Sequence, residues 1–483
     1  MTQNEQTGAD KPSASIGPIL FFRSYDDERL KLVALVLYPT GQTAGDLTTE
    51  LGTFQAETLV TRAGYDAVRY SFDLPAGGVV SYQLDGASYE VNTRFTGDLD
   101  FAYVSCNGQE DGDLDRDEAD RNRLWARLSK MQKETPFQLL LQGGDQIYAD
   151  EVTKRHPLSH DWPEEVPDTL DQAQKSAVRE ALSTGFFEHY AQIFGQSDIA
   201  YMAARVPTLA MWDDHDICDG WGSLPLDRLD SDVGKILFET ARVHFLLFQF
   251  GVNADEVPDI CADREGQSLG WSVKLPDLQL IAPDLRSERR PNRVMADRGW
   301  EVLRGYLADE TPGRRFMLSS VPALGPRLSI VEFFMGLSPR MEKYEDDLRD
   351  QWQSRAHRKE WAAFLEDLMK VHRRPDAEMT VVSGEIHLAT RGEMQTEDGP
   401  IHQLVASGIT HPVPIKSYPQ ILGLLARLGE APVKGHPIRL KPIPGAKTIY
   451  TAERNFLTLS RADGDWFARW HLEESGTTPA LAI

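Results

Sequence analysis

Cysteine is scarce: Cys106, Cys218 and Cys261 are the three in 483 residues. So few, and odd in number, they exclude a disulfide framework and point to a reduced, cytoplasmic protein. No pair of them has zinc-finger spacing. Long apolar runs are missing as well, since nothing approaches the ~18 residues of a membrane span. The opening "MTQNEQTGADKPSASIGPIL" lacks a cationic start, an apolar stretch and a twin arginine. Residues 1–16 are therefore expected to be a disordered leader and not a signal peptide. Positive charge is also short, with 51 Lys and Arg against 74 Asp and Glu, a net of −23. Such a surface repels nucleic-acid backbone and anionic lipid, so neither nucleic acid nor membrane is an expected partner. It repels phosphate too, but cellular salt screens that field beyond about 8 Å. A phosphate substrate would then need concentrated local positive charge, from metal ions or arginines.

What is present divides the chain in two. Over residues 17–97 the runs "LKLVALVLY", "DAVRYSFDL" and "GVVSYQL" alternate with turn signals such as "PAGG" and "DGAS". That spacing predicts a small N-terminal antiparallel β-sandwich, with a joint near "TGDLD" at 96–100. From 98 to 483 short apolar runs alternate with helical periodicity, which predicts an α/β domain. "DRDEADRNRLWARLSKMQK", "SDVGKILFETARVHFLLFQFG" and "RAHRKEWAAFLEDLMKVHRR" read as helices. "LDFAYVS", "FQLLLQ", "TLAMW", "LQLIA", "RFMLSS" and "MTVVS" read as buried strands, and "NFLTLSRADGDWFARWHLEE" as a closing hairpin.

Chemically active side chains gather just past the strand ends. Cys106 and Asn107 come after the first strand, and "GGDQIYAD", with Asp145 and Tyr148, after the second. After "TLAMW" come Asp213, Asp214, His215 and Asp216; after "LQLIA" come Asp284, Arg286 and Arg289; after "MTVVS" come Glu385 and His387. Carboxyl ends of strands form the ligand crevice of open α/β sheets. Carboxylates crowded there stay ionised only if cations lie between them. Taken singly, each has an ordinary reading: a glycine turn, a packed tyrosine, a buried cysteine, a core histidine, a solvated basic loop. Together the oxygen-rich donors with one imidazole, and a thiolate or phenolate, suit calcium, magnesium, manganese or iron. Two such metals can bind a phosphate ester and activate water. Asp145 is the candidate bridging ligand, and His215 can protonate a departing alkoxide. Arg286 and Arg289 carry the planar fork that pairs with phosphate.

These segments in this order resemble the PhoD-like alkaline phosphatases of the metallophosphoesterase superfamily. The resemblance rests on "VSC" at 104–106, "GGDQIYAD" at 143–150, "WDDHD" at 212–216, "DLRSERR" at 284–290 and "SGEIH" at 383–387. It implies a four-layer αββα domain, with phosphomonoesterase or phosphodiesterase activity on a small phosphate ester. It also implies a site of one ferric iron with calcium. Cys106, Asp145 and Tyr148 would hold the iron, and Asp145 would bridge to calcium held also by Asp214, Glu385 and His387. His215 would be the catalytic histidine. Glu385 departs from the family's aspartate by one methylene, the export signal of secreted members is not seen, and the form of "GGDQIYADE" and "WDDHDICDGWGS" resembles the family's intracellular branch. Two other readings use the same residues: a metal-stabilised binding protein without turnover, and a hydrolase of another oxyanion ester such as sulfate. Residues 149–172 and 329–347 are candidates for the rim that selects the substrate.

Overall fold

The computed structural model describes residues 14–108, 113, 116–326, 350–384, 387–414 and 417–483. The strands expected after residue 98 form as Leu99–Val104, Leu139–Gly143, Thr208–Met211, Leu278–Ala282, Arg314–Ser319 and Met379–Ser383. The first three are parallel neighbours in one eleven-stranded sheet, and the last three are parallel neighbours in a separate seven-stranded sheet. The closing hairpin pairs Asn455–Ala462 with Asp465–Leu472 and extends the first sheet beside Leu99–Val104.

Alternation along the strands stacks the layers. In Arg314–Ser319 the Phe316 ring meets Trp466, which in turn meets Phe101 of the first sheet. Met317, the next residue, points the other way and packs with Trp361, Phe364 and Leu303. The second sheet thus lies against the first on one face. Its other face carries the helices Asp297–Leu307 and Arg358–His372. On the first sheet's side, helix Gln172–Phe194 packs along helix Asp232–Phe250 through the aromatic pairs Tyr190–Phe248 and Phe187–Phe248.

The N-terminal strands, expected to make a sandwich of their own, are joined to the rest. Strand Ile16–Tyr25 pairs in parallel with Thr208–Met211, Phe21 lying opposite Thr208. Arg29–Pro39, Tyr65–Pro75 and Glu57–Arg62 continue outward from it, so the large sheet runs on past the expected joint. The reason is legible in "PILFF": its Ile19, Leu20, Phe21 and Phe22 are all buried, and an unbroken apolar run needs cover on both faces. The remaining short strands, Leu47–Thr49, Gly52–Phe54, Val79–Leu84 and Ala87–Asn92, form a four-stranded sheet. It packs on the large one through Phe54, Phe72 and Tyr82.

Gly251 ties these parts together. It ends helix Asp232–Phe250 at φ 62°, and a Cβ there would meet Val33 Cγ1 at 2.7 Å and the Phe21 ring at 3.0 Å. Gly251→Ala therefore combines left-handed strain with overpacking and is expected to cost about 2–4 kcal/mol. A denaturant midpoint equal to wild type would refute this account of the junction.

Candidate metal centre

The site lies where the carboxyl ends of both sheets meet. At Gly384, just after Met379–Ser383, a Cβ would stand 2.3 Å from Ser105 Oγ of the first sheet. At Gly144 (φ 109°) it would stand 2.6 Å from Asp213 Cβ. Only hydrogen fits at these two points, which lets strand ends from separate sheets converge.

Three residues just beyond strand ends adopt left-handed backbone without being glycine: Cys106 (φ 54°), Asp145 (φ 55°) and His387 (φ 50°). Such conformations cost on the order of 1–3 kcal/mol each and persist where the surroundings enforce them. Their ligating atoms lie within 4.8 Å of one another. Tyr148 completes the group, its hydroxyl 2.9 Å from His387 Nε2 and 3.4 Å from Asp145 Oδ2. Cys106 Sγ is also 3.4 Å from that oxygen, and Ser407 Oγ lies 3.1 Å from the sulfur. A second group, Asp145, Asp214 and His215, is equally close and shares Asp145 with the first.

These residues fit metal ions. Asp145 is buried, and its Oδ1 has no hydrogen-bond partner among the described residues. Burial, then the nearby Asp213 carboxylate, pushes the Asp145 carboxyl well above the usual range. An orphaned oxygen in such a place calls for a cation. His387 is held neutral by burial and by the neighbouring His411, as a ligand imidazole must be.

The loop around Asp145 is itself clamped. Buried Asp216 accepts from the backbone N–H groups of Asp145 (2.9 Å), Gln146 (3.0 Å), Ile147 (3.3 Å) and Asp213 (2.9 Å). Among the four acids of the "WDDHDICD" stretch, Asp216 is thus a backbone clasp. His215 Nδ1 meets Asp150 Oδ2 at 2.8 Å, and its ring stacks on Tyr148 at 4.1 Å. Burial opposes a charged ring, but Asp150 and then Asp214 outweigh it and hold His215 well above its ordinary value. Cations on Asp145 and Asp214 would pull in the opposite direction.

The arginines occupy a different place from the one expected of them. Arg286 and Arg289 are both 0% exposed. Arg286 donates to Asp213 and Asp350, the latter at 2.7 Å, and lies 3.4 Å from Asp214. Arg289 lies 3.1 Å from Asp350 Oδ1 and donates to the Asp350 carbonyl. Arg286 is engaged by Asp213 and Asp350, and Arg289 by Asp350 with its Nη1 lacking a hydrogen-bond partner among the described residues; both brace the carboxylates behind the site. The same pairing supplies the cations for Asp213 and Asp350, which together with Asp214 also lie close enough to hold an ion.

Cys106, Asp145, Tyr148, Asp214, His215 and His387 are therefore brought together, with Arg286 and Arg289 one layer behind. Glu385 lies outside the described residues, as does the 329–347 segment. Sequence reasoning passed over Asp150 and His411. Asp150 stands five residues after Asp145 in a stretch read as rim, although a histidine beside the metals needs an orienting carboxylate. His411 stacks on His387 at 3.5 Å and Tyr148 at 5.1 Å. Cys218 and Cys261 are buried and unbridged, in line with their ordinary reading.

Residues 88–343, more than half of the chain, match the family described as PhoD related phosphatase. The chain belongs to that family. A solved structure, "Structure of PhoD", superposes at TM-score 0.60 over 98% of this chain and 90% of that one, at 11% identity, which bears on the fold alone. The structure of GAP50, the anchor in the inner membrane complex of Plasmodium, superposes at TM-score 0.40 with 7% identity over 80% of this chain and 90% of that one, too loosely to carry an argument. An uncharacterized protein of Saccharomyces cerevisiae, YGR266W, is 24% identical over 402 residues. The match covers 68% of this PhoD-related chain and 56% of the yeast protein, so the chain spans little more than half of that relative's length.

Two outcomes test the site. Asp216→Ala strips four buried N–H groups of their acceptor and should lower stability by about 3 kcal/mol or more; an unchanged denaturant midpoint would dismiss the clasp. Chelation should lower the melting temperature of wild type, because a ligand at a hundredfold its Kd adds about 2.7 kcal/mol. Asp145→Asn should melt at the chelated value with or without metal, and a metal-responsive variant would remove Asp145 from the centre.

Proposed function

We infer that this PhoD-related phosphatase hydrolyses phosphoric esters, monoesters or diesters, at the centre built on Asp145. The observation that carries the reading is Asp145 itself, a buried carboxylate with an unshared oxygen that belongs to two ligand groups at once. Cys106, Tyr148 and Asp145 would hold one ion together with His387, which the resemblance assigns to the calcium side but which lies with the first group. Asp145 with Asp214 would hold a second, joined by Glu385 from its position in "GEIH". Thiol and phenol donors suit ferric iron and the carboxylates suit calcium, as the family resemblance implies. When bound, such ions supply Lewis acidity and lower the pKa of a water molecule.

The chain's own residues do the rest. Asp150 occupies His215 Nδ1, and Nε2 faces the exposed Asp219 carboxylate at 3.9 Å, the side on which a substrate would be met. A protonated His215 can donate from Nε2 to a phosphoryl oxygen or to the departing alkoxide. The Tyr148 ring fixes the plane of that imidazole, and Arg286 holds Asp213 and Asp214 in register. The four-layer αββα arrangement is supported by the helices on the outer face of the second sheet. Buried, unbridged thiols agree with a cytoplasmic setting. Among the described residues no helix is long and apolar enough to cross a membrane.

His215→Ala should lower kcat/KM on a nitrophenyl phosphate monoester or diester by about 10²–10⁴ with little change in melting temperature. Wild-type protein that turns over neither ester after reconstitution with calcium, ferric iron and manganese would end this reading.

A further inference from the structure

The net charge of −23 hides a segment of the opposite sign. Residues 411–450 contain Lys416, Arg427, Lys434, Arg439, Lys441 and Lys447 against one acid, Glu430. Glu430 is already paired with Arg358 at 3.0 Å, and Lys441 pairs with Glu393. Arg427, Lys434, Arg439 and Lys447 are exposed and enter no ion pair among the described residues. The same stretch exposes apolar surface. Of six large hydrophobic side chains exposed among the described residues, Leu424 (65%) and Leu428 (62%) are the most open, and Val413 (41%) is a third.

Local structure groups part of this stretch and links it to the metal centre. Helix Ser417–Ala426 buries Leu422 and Ala426 against Leu388, the residue after His387, and leaves Leu424 outward. Beyond it the chain makes a hairpin in which Glu430 bridges Ile438, with Lys434 and Gly435 exposed at the turn. Arg427, Leu428 and Arg439 line one shallow groove at its base. Val413 stands two residues from His411, whose ring stacks on His387.

We propose that residues 424–447 form a docking surface for an anionic lipid bilayer, with Leu424 and Leu428 entering the interface and Arg427, Lys434, Arg439 and Lys447 meeting the headgroups. Outward leucines flanked by unpaired cations are the chemistry of peripheral membrane attachment. The long-range repulsion of the acidic chain does not prevent this, since it is screened beyond about 8 Å whereas the patch acts at contact. Docking would bring the metal centre, joined to this patch through Leu388 next to His387, near phosphate esters of the membrane surface. That last step rests on the proposed function; the docking does not.

The test is co-sedimentation of the full chain with vesicles of phosphatidylcholine alone or mixed with phosphatidylserine, at low and high salt, beside hydrolysis of a small soluble ester. Wild type should bind the mixed vesicles, release them at high salt and ignore the neutral ones. Leu424→Glu with Leu428→Glu should weaken binding at least about tenfold. Arg427→Glu, Lys434→Glu and Arg439→Glu together should weaken it at least about a hundredfold. Both variants should hydrolyse the soluble ester as wild type does, which shows that they fold. Failure of wild type to bind mixed vesicles overturns the proposal, as does full binding by the leucine variant, which would mean charge attraction to any polyanion. Vesicle binding with no turnover of soluble ester would uphold the docking and fail the enzymatic reading.

Discussion

A buried carboxylate with an oxygen left over is the constraint on which the rest of the architecture depends. Asp145 sits in left-handed backbone with Oδ1 unshared, and no hydrogen-bond donor among the described residues relieves it. The surroundings hold it there by several independent means. Asp216 fixes the loop through its N–H groups, Gly144 admits Asp213 at contact distance, and Gly384 lets the second sheet close down on Ser105. Strained backbone at Cys106 and His387 aims two more donors at the same place. An ion in the centre would return the stability spent on such geometry.

The acids near the site divide by what neutralises them. Asp216 is balanced by backbone dipoles, Asp213 and Asp350 by two buried guanidiniums, Asp150 by the imidazole it orients, and Asp145 with Asp214 by the ions they are placed to hold. Each pairing removes one acid from the set of candidate ligands. The residue types alone do not make that division, because an aspartate's role depends on which cation lies nearest and not on its neighbours in sequence.

Much of this was legible in the order of residues alone. Apolar runs without alternation marked the buried strands, and the residues after them marked the site. Other features were hidden for physical reasons. Helix Gln172–Phe194 shows no apolar stripe because its first half faces solvent while its second half, with Phe186, Phe187 and Tyr190, is buried around much of its circumference. The N-terminal strands read as a separate unit because antiparallel spacing is a local signal, whereas the Phe21–Thr208 register joins residues far apart in the chain. Arg286 looked like a phosphate ligand since its position two residues past a strand is right for one. What sequence could not register was Asp350, approaching from another part of the chain to claim both arginines.

Burial of the arginines has a consequence for the chemistry. With Arg286 and Arg289 held on Asp213 and Asp350, the positive charge for a phosphoryl group would, on the proposed reading, come from His215 and from ions on Asp145 and Asp214. On that reading the centre would be an all-or-nothing device, in which the same cations that relieve the buried carboxylates would also attract the substrate. A protein of net charge −23 can handle phosphate on those terms only if charge is concentrated locally. It is concentrated twice, in the ions that the pocket is shaped to hold and in the unpaired lysines and arginines of residues 427–447. The average over the chain describes neither.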